Sequence, residues 1–117
     1  MVAPFNSCCA NGFDWYCVKC LWKITKSYPT ISIPKSEFAT QEDDIMWDEG
    51  FWRDIKYDPE NDHAKRVANA DLSYPILVCL FEEKYEILDG CHRFIKETRD
   101  CISAKVVGWD VLNKMII

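Results

Sequence analysis

The sequence predicts an α+β fold. Short runs of β-branched and aromatic residues alternate with segments of helical periodicity, and neighbouring runs are joined by connections of hairpin length. Such an order is typical of α+β proteins, because a doubly wound parallel sheet needs a crossover helix between consecutive strands. No internal repeat or low-complexity segment interrupts it. We therefore expect one sheet with helices packed against it.

Length, composition and charge narrow the class of protein. A chain of 117 residues forms one core, and 49% hydrophobic with 14% aromatic residues is enough for it to fold. The net charge of −5 argues against sequence-independent DNA binding, which depends on many basic contacts to phosphate. The sequence has neither a run of about 20 apolar residues nor a signal-peptide pattern, so we expect a cytoplasmic protein with no membrane partner.

The seven cysteines leave two interpretations open. An odd number without a secretory signal predicts free thiols in a reducing compartment. The C-x-x-C spacing of Cys17 and Cys20 is one that zinc sites use, and a four-thiolate site is one interpretation of the N-terminal cluster. The neighbouring aromatic residues favour packing instead. That cluster comprises Cys8, Cys9, Cys17 and Cys20, whereas Cys79 and Cys101 are interpreted as small core residues.

The first third of the chain divides into an extension and the start of a domain. Residues 15–24 are strongly apolar and fit a strand or a short helix, of which we favour the strand. Residues 30–33 alternate as an extended segment, and 34–40 open a short helix. We assign residues 1–29 to a Cys-rich, aromatic extension that packs on the core, and 30–117 to the main domain.

Residues 41–58 are acidic with interspersed aromatic rings. We interpret this segment as a loop or lid that packs its rings against the core. An acidic surface that carries tryptophan also suits protein recognition, so the same segment is the candidate surface for a protein partner. Its rings are Trp47, Phe51, Trp52 and Tyr57.

A helix is predicted from Asp58 to about Asn69. Asp58 would be its N-cap and Pro59 its first helical residue. Ala64, Val67 and Ala68 share one face, which we expect to lie on the sheet. On another face His63 and Arg66 are three residues apart, so they could reach the same ligand.

The second half alternates strands with short helices. Residues 74–81 are a continuous apolar run typical of a buried strand, 82–84 form a polar turn, and 85–88 return as a strand. The helix that opens at Gly90 should turn Phe94, Ile95 and Thr98 inward and Lys96, Glu97 and Arg99 outward. Residues 102–107 form another strand, and the last element carries the apolar stripe Trp109, Leu112 and Ile116.

The junction between the 85–88 strand and the following helix is the most informative part of the chain. Gly90 permits a tight turn, and the free N–H groups at a helix start favour an anion. Arg93 adds a planar donor fork suited to phosphate. Cys91 would have its thiolate favoured at the same position, and His92 could shuttle a proton. An ordinary structural turn is the alternative.

The order of these elements resembles the ParB/sulfiredoxin superfamily. Its members place a P-I-x-V strand, a hairpin and a G-x-H-R or G-E-R-R turn in sequence. Here the strand is Pro75-Ile76-Leu77-Val78 and the turn is Gly90-Cys91-His92-Arg93. The resemblance extends over residues 30–110 and implies a small mixed sheet with flanking helices. Asp89 stands where sulfiredoxins usually have a second glycine, and Asp-Gly at this point is typical of the ParB-like branch.

The resemblance implies a nucleotide-binding domain at 30–117, with ATP or another nucleoside phosphate as ligand and Mg²⁺ as a candidate co-ligand. The leading function is phosphoryl transfer or nucleotide hydrolysis. The alternatives are sulfiredoxin-like ATP-dependent thiol chemistry through Cys91, a non-catalytic protein that binds a partner through 41–58, and a ParB-like nuclease, which the charge disfavours. The implied phosphate ligands are Gly90, Cys91, His92, Arg93, His63 and Arg66. The implied catalytic residues are Cys91, His92 and Asp89. No metal ligand is assigned.

Several of these residues also have structural interpretations. Arg93 could form a salt bridge with Asp89 or another acid. His92 could be bonded only to nearby backbone. Asp89 could bind Mg²⁺ through water or act as a base, but capping the next helix is the interpretation we favour. If the reaction is phosphoryl transfer, positioning and charge neutralisation carry it, with a base drawn from Glu42, Asp43 or Asp44.

Overall fold

A four-stranded mixed sheet and a two-stranded hairpin organise the computed structural model, which describes residues 18–114. The order in the larger sheet is β1–β6–β4–β5, where β4 and β6 are parallel and the outer pairs are antiparallel. The strands are β1 (Ile31–Pro34), β2 (Met46–Trp47), β3 (Gly50–Phe51), β4 (Ile76–Phe81), β5 (Lys84–Asp89) and β6 (Cys101–Val107). The helices are α1 (Val18–Ile24), α2 (Trp52–Ile55), α3 (Asp62–Asn69), α4 (Cys91–Lys96) and α5 (Trp109–Lys114). The predicted α+β class is confirmed.

Strand β4 is apolar throughout because it is covered on both faces. Ile76 and Val78 belong to the larger core cluster, on the side that includes Phe94 of α4. Leu77 and Cys79 belong to a second cluster with Leu21 of α1 and Leu112 of α5. Successive side chains of a strand point to opposite faces, so a centre strand between two layers needs apolar residues at every position. The predicted strand at 74–81 is confirmed from Ile76 to Phe81, and its predicted burial is confirmed for the first four of these residues, whereas Leu80 is 47% exposed.

The prediction of a strand at 15–24 is wrong where the structure describes it. Residues 18–24 are α-helical, and residues 15–17, like all of 1–14, lie outside the described part of the chain. Leu21 and Thr25 are fully buried and are four residues apart, which places them on one helical face. Thr25 Oγ1 donates to the carbonyl of Leu21 over 2.8 Å. A single buried stripe distinguishes this helix from a strand covered on both faces.

The predicted helix at 58–69 begins three residues later than expected. Its N-cap is Asn61, whose side chain accepts from the N–H groups of His63 and Ala64. Asp58 instead accepts from the N–H of Glu60 over 3.0 Å, so its carboxylate closes a turn and is not available as a helix cap. The predicted end at Asn69 is confirmed. Ala64 and Val67 pack against the larger core cluster as predicted, whereas Ala68 is exposed.

The end of α4 reverses two predicted orientations. Phe94 and Ile95 are buried as expected, but Thr98 is exposed and Glu97 is 4% exposed. The helix stops at Lys96, so helical periodicity no longer assigns faces to the residues beyond it. The buried Glu97 carboxylate accepts from the backbone N–H and the guanidinium of Arg99. This pairing holds the pKa of Glu97 at about 2 and compensates its burial.

The 41–58 segment is more structured than a loop. It contains a 3₁₀ turn at Glu42–Asp44, the β2–β3 hairpin and α2. Trp52 is 6% exposed and Trp47 packs against the same core, in agreement with the predicted packing of rings. Tyr57 is 78% exposed and does not follow that prediction.

The remaining predicted elements lie where expected, but the short helix predicted at 34–40 is only a 3₁₀ turn. The extended segment after residue 30 is β1, a 3₁₀ turn follows at Lys35–Glu37, and the polar turn at 82–84 closes the β4–β5 hairpin. Leu112 of the final helix is buried, Trp109 is 37% exposed against Phe81, and Ile116 lies outside the described residues. Within residues 18–114, no helix combines the length and apolar character needed to cross a membrane.

Candidate functional site

The predicted turn is formed by Gly90 at the N-terminus of α4. Gly90 has φ 111° and ψ 26° and is the N-cap, with no side-chain cap hydrogen bond. Its carbonyl accepts from the N–H of Phe94 over 2.9 Å, which begins the helix. A Cβ at this position would lie 2.5 Å from Cγ2 of Ile76. Glycine is therefore required here for both backbone angle and space.

Helix α4 and helix α3 bring two histidines together. Nδ1 of His63 lies 3.0 Å from Nε2 of His92, and the α3–α4 contact is fixed by Lys96, whose Nζ donates to the carbonyls of Ala68 and Ala70. The ring centroids of the histidines are 5.3 Å apart and their planes differ by 10°. The imidazoles thus meet edge to edge in nearly one plane. The prediction from sequence placed His63 and His92 at one ligand, and the structure brings them into direct contact.

The β2–β3 hairpin covers this pair with two residues that sequence reasoning did not assign to the site. The indole of Trp47 stacks on His63 with centroids 4.0 Å apart and planes within 9°, and on His92 at 5.1 Å and 5°. Oε2 of Glu49 lies 3.4 Å from Nε2 of His63. The sequence identified Trp47 only as a packed ring. Nothing in the local pattern marks Glu49, because its proximity to His63 depends on how the hairpin folds over α3.

The environment of the pair favours neutral imidazoles. Burial, together with the neighbouring His63 and Arg66, lowers the pKa of His92 to about 4, against the opposing charge of Asp89. Burial also lowers the pKa of His63, while the Glu49 carboxylate raises it. Arg66 therefore acts on both rings electrostatically from an exposed position on α3. In the absence of an anion, a proton on either ring is disfavoured.

Arg93 contacts a different part of the structure from the histidines. Its Nη1 donates to the carbonyl of Pro75 over 3.0 Å, and its guanidinium lies 5.8 Å from the ring centroid of Tyr74. Among the described residues it forms no ion pair, so the predicted alternative of a salt bridge to Asp89 is not what the structure shows. One N–H of the guanidinium is used on the protein backbone. The structure therefore brings together His63, Arg66, His92 and Asp89, and places Arg93 beside the 71–75 loop.

Asp89 does not cap α4, so the interpretation we favoured from sequence is wrong. Its Oδ2 accepts a hydrogen bond of 2.7 Å from the indole nitrogen of Trp22. The N-cap position is occupied by Gly90, which has no side chain. Asp89 thereby joins α1 to the end of β5, and its charge still acts on His92.

The cysteines also differ from the predicted free thiols. Cys20 and Cys91 are disulfide-bonded, while Cys79 and Cys101 are free. A disulfide sulfur carries no thiolate, so thiol chemistry at Cys91 would require that bond to be reduced first. Cys79 is buried as predicted, but Cys101 is exposed because Ile102 and Ala104 take the inward positions of β6. Cys8, Cys9 and Cys17 lie outside the described residues, but the four-thiolate zinc interpretation also needs Cys20, whose disulfide removes it as a thiolate ligand.

Two further features of the described residues bear on ligands. Residues 18–114 contain no group of three or more His, Cys, Asp or Glu arranged to hold a metal ion. A cavity of about 600 Å³ is lined by residues 34–36, 41–42 and 97–100, and none of the predicted phosphate ligands or implied catalytic residues lines it. Its lining includes the candidate base Glu42, whose Oε2 lies 3.9 Å from Nζ of Lys35.

Comparisons with family models, curated proteins and solved structures found no match to this chain. The resemblance to the ParB/sulfiredoxin superfamily therefore rests on the sequence motif and the order of elements alone.

The histidine pair predicts an acid-dependent loss of stability. Since the pKa of His92 is about 4 in the folded protein and near its ordinary value of 6.5 in the unfolded chain, the unfolded state binds more protons between these values. The free energy of unfolding should fall as pH falls from about 6.5 to about 4. Urea unfolding across this range should show a smaller pH dependence in His92→Gln than in the wild type.

Glu97→Gln provides the control for that measurement. Its pKa of about 2 lies below its ordinary value of 4.5, so Glu97 contributes stability above pH 4.5 that is lost as pH falls toward 2. The Glu97 variant should change the pH dependence only below about pH 4.5, and should match the wild type over the rest of the histidine window. Equal slopes for wild type and His92→Gln between pH 6.5 and 4 would contradict the assignment.

Proposed function

We propose that the protein binds the phosphates of a nucleoside polyphosphate at the Gly90–Arg93 turn and catalyses phosphoryl transfer or hydrolysis. The observation that carries the proposal is the 3.0 Å contact between His63 and His92, because it brings a second helix to the predicted turn. His63 thereby adds a second imidazole to the Gly90–Arg93 turn, whose own sequence contains only His92.

The charges around the pair support an anionic ligand. In addition to burial, the charge of Arg66 lowers the pKa of both His63 and His92, and His63 also lowers that of His92, so positive charge on these rings is repelled in the unliganded protein. A bound phosphate would remove that repulsion, raise the pKa of both imidazoles and gain charge-assisted hydrogen bonds. Arg93 retains guanidinium N–H groups that have no hydrogen-bond partner among the described residues, and these supply further donors beside the turn.

Carboxylates near the pair favour a polyphosphate that carries Mg²⁺. Glu49 and Asp89 both act on the histidines, and each would repel a bare phosphate. Mg²⁺ is usually held in proteins by one or two carboxylates together with substrate phosphates, so it does not need a cluster of three protein ligands. A magnesium nucleotide would therefore suit this mixture of charges better than the free nucleotide.

Thermal unfolding with ATP, ADP, CTP and GTP, each with and without Mg²⁺, tests the proposal. A nucleotide at 100 times its Kd should stabilise the wild type by about 2.7 kcal/mol. Loss of one charge-assisted hydrogen bond in Arg66→Gln should remove about 1.5–3 kcal/mol of binding, which weakens the Kd at least about tenfold. Phosphate release by the wild type should be measured with the nucleotide that gives the largest shift.

Arg53→Gln is the matched control, because Arg53 is exposed and contacts its neighbours Asp54 and Phe51. It should bind nucleotide as the wild type does. No shift with any nucleotide would contradict the proposal and favour a second candidate function, recognition of a basic protein. The exposed Tyr57 and Met46 on the acidic 41–58 segment support that alternative.

A further inference from the structure

We infer that Glu49, His63 and His92 form a proton relay in which Nδ1 of His92 is the general base and Glu49 is a positioning residue. The base would deprotonate the water or hydroxyl that attacks a phosphoanhydride. This inference rests on the proposed function for its substrate, but the relay itself is a property of the unliganded protein.

The first step fixes the tautomer of His63. Oε2 of Glu49 is 3.4 Å from Nε2 of His63, which is longer than an ordinary hydrogen bond. A carboxylate at this distance nevertheless attracts an N–H and repels a nitrogen lone pair. The proton of neutral His63 is therefore favoured on Nε2, and Nδ1 is left as an acceptor.

The second step fixes the tautomer of His92. Nδ1 of His63 and Nε2 of His92 are 3.0 Å apart, so one nitrogen must donate and the other accept. Because Nδ1 of His63 is the acceptor, Nε2 of His92 carries the hydrogen. The remaining nitrogen of His92, Nδ1, then holds a lone pair, and it has no hydrogen-bond partner among the described residues.

Trp47 holds the two rings in this arrangement. Its indole lies parallel to both imidazoles, within 9° of His63 and 5° of His92. Rotation of either imidazole out of this plane would disrupt the stacking and the edge-to-edge hydrogen bond together. The stacked indole also covers one face of the pair, which limits the access of water to the shared hydrogen bond.

The charged groups around the relay come from three elements. The β2–β3 hairpin supplies Glu49 and Asp48, α3 supplies Asp62 and Arg66, and the end of β5 supplies Asp89. Burial and Arg66 keep His92 neutral near pH 7, which preserves its lone pair. A polyphosphate beside the ring would raise the pKa of His92 toward the range in which a general base is effective.

The proposed step balances without a further reactant. The attacking oxygen gives its proton to Nδ1 of His92 and forms a bond to phosphorus. The bond between that phosphorus and the bridging oxygen breaks, and the leaving nucleotide keeps the electron pair. The positive charge on His92 is stabilised through the Nε2–H bond to His63 and, beyond it, by the Glu49 carboxylate.

Two-bond ¹H–¹⁵N spectra of the imidazoles test the relay without any nucleotide. In the wild type at pH 7, both His63 and His92 should be protonated on Nε2 and bare on Nδ1. In Glu49→Gln, the pKa of the coupled pair should fall, because the carboxylate that raises it is gone. Glu42→Gln is the matched control, since Glu42 lies beside Lys35, and it should titrate as the wild type does.

Turnover provides the second readout. With the nucleotide identified by thermal unfolding, Glu49→Gln should reduce kcat about tenfold to a hundredfold and move the acid limb of the pH–rate profile to lower pH. A proton on Nδ1 of His92 in the wild type, or identical histidine titrations in Glu49→Gln and Glu42→Gln, would overturn the relay. Absence of nucleotide binding by the wild type would overturn the proposed function, and the spectra would still decide the relay.

Discussion

Replacing Gly90 with alanine is expected to destabilise the protein by about 2–5 kcal/mol. The residue has φ 111°, which costs an L-amino acid about 1–2 kcal/mol. The added Cβ would also lie 2.5 Å from Cγ2 and 2.9 Å from Cβ of Ile76, a fully buried residue of β4. Displacing a packed side chain to make room costs about 1–3 kcal/mol more. Urea unfolding of Gly90→Ala should measure the sum.

Two other glycines separate these contributions. Gly50 has φ 118° but nothing within 4 Å of a built Cβ, so Gly50→Ala should show only the backbone cost of about 1–2 kcal/mol. Gly108 has neither a positive φ nor a neighbour within 4 Å, and Gly108→Ala should be neutral or stabilising by up to about 1 kcal/mol. A Gly90→Ala variant no less stable than Gly50→Ala would show that the contact with Ile76 is easily relieved.

Truncation of Phe94 to alanine should cost about 3–5 kcal/mol, the range of large-to-small substitutions at fully buried aromatic residues. Phe94 is 0% exposed, and its ring lies 5.0 Å from that of Phe38. Nζ of Lys35 is 4.5 Å from the same ring and donates to the carbonyls of Phe94 and Glu97, which stabilises the end of α4. Loss of the ring therefore removes a core contact and loosens a helix-end contact together.

Tyr57→Ala is the control for loss of an aromatic ring. Tyr57 is 78% exposed, so its removal should change the free energy of unfolding by no more than about 0.5 kcal/mol. Phe94→Leu should lie between the two, because leucine retains much of the apolar contact. Should Phe94→Ala unfold at the same urea concentration as Tyr57→Ala, the position of α4 on the core would have to be revised.

Hydrophobic periodicity was sufficient to predict an element that packs against the core on one face or on both faces along its length. The run at 74–81 indicated a strand buried on both faces, and β4 has one cluster on each side. Glu82 and Glu83 adopt positive φ in the turn that the polar run indicated. Periodicity failed at element ends, as at Asp58 and Glu97, because there side-chain hydrogen bonds outweigh the pattern.

At the candidate site too, local patterns predicted which residues belong to it, but not their contacts with residues distant in sequence. Spacing on one predicted helix related His63 to Arg66, and the glycine turn identified His92. Asp89 was assigned to the wrong partner because Trp22, which donates to it, is 67 residues away in sequence. Arg93 was expected at the phosphates, but its bond to Pro75 depends on the path of the 71–75 loop.

The sequence by itself determined the α+β class, the central strand, the β4–β5 hairpin and the glycine turn, because each depends on residue periodicity or on the backbone preference of one residue. Only the tertiary structure decided that His63 and His92 share a hydrogen bond, and that Trp47 and Glu49 complete their environment. Those contacts join segments far apart in the chain, and their geometry is set by how α3, α4 and the β2–β3 hairpin pack together. That packing cannot be predicted from the local sequence around each residue.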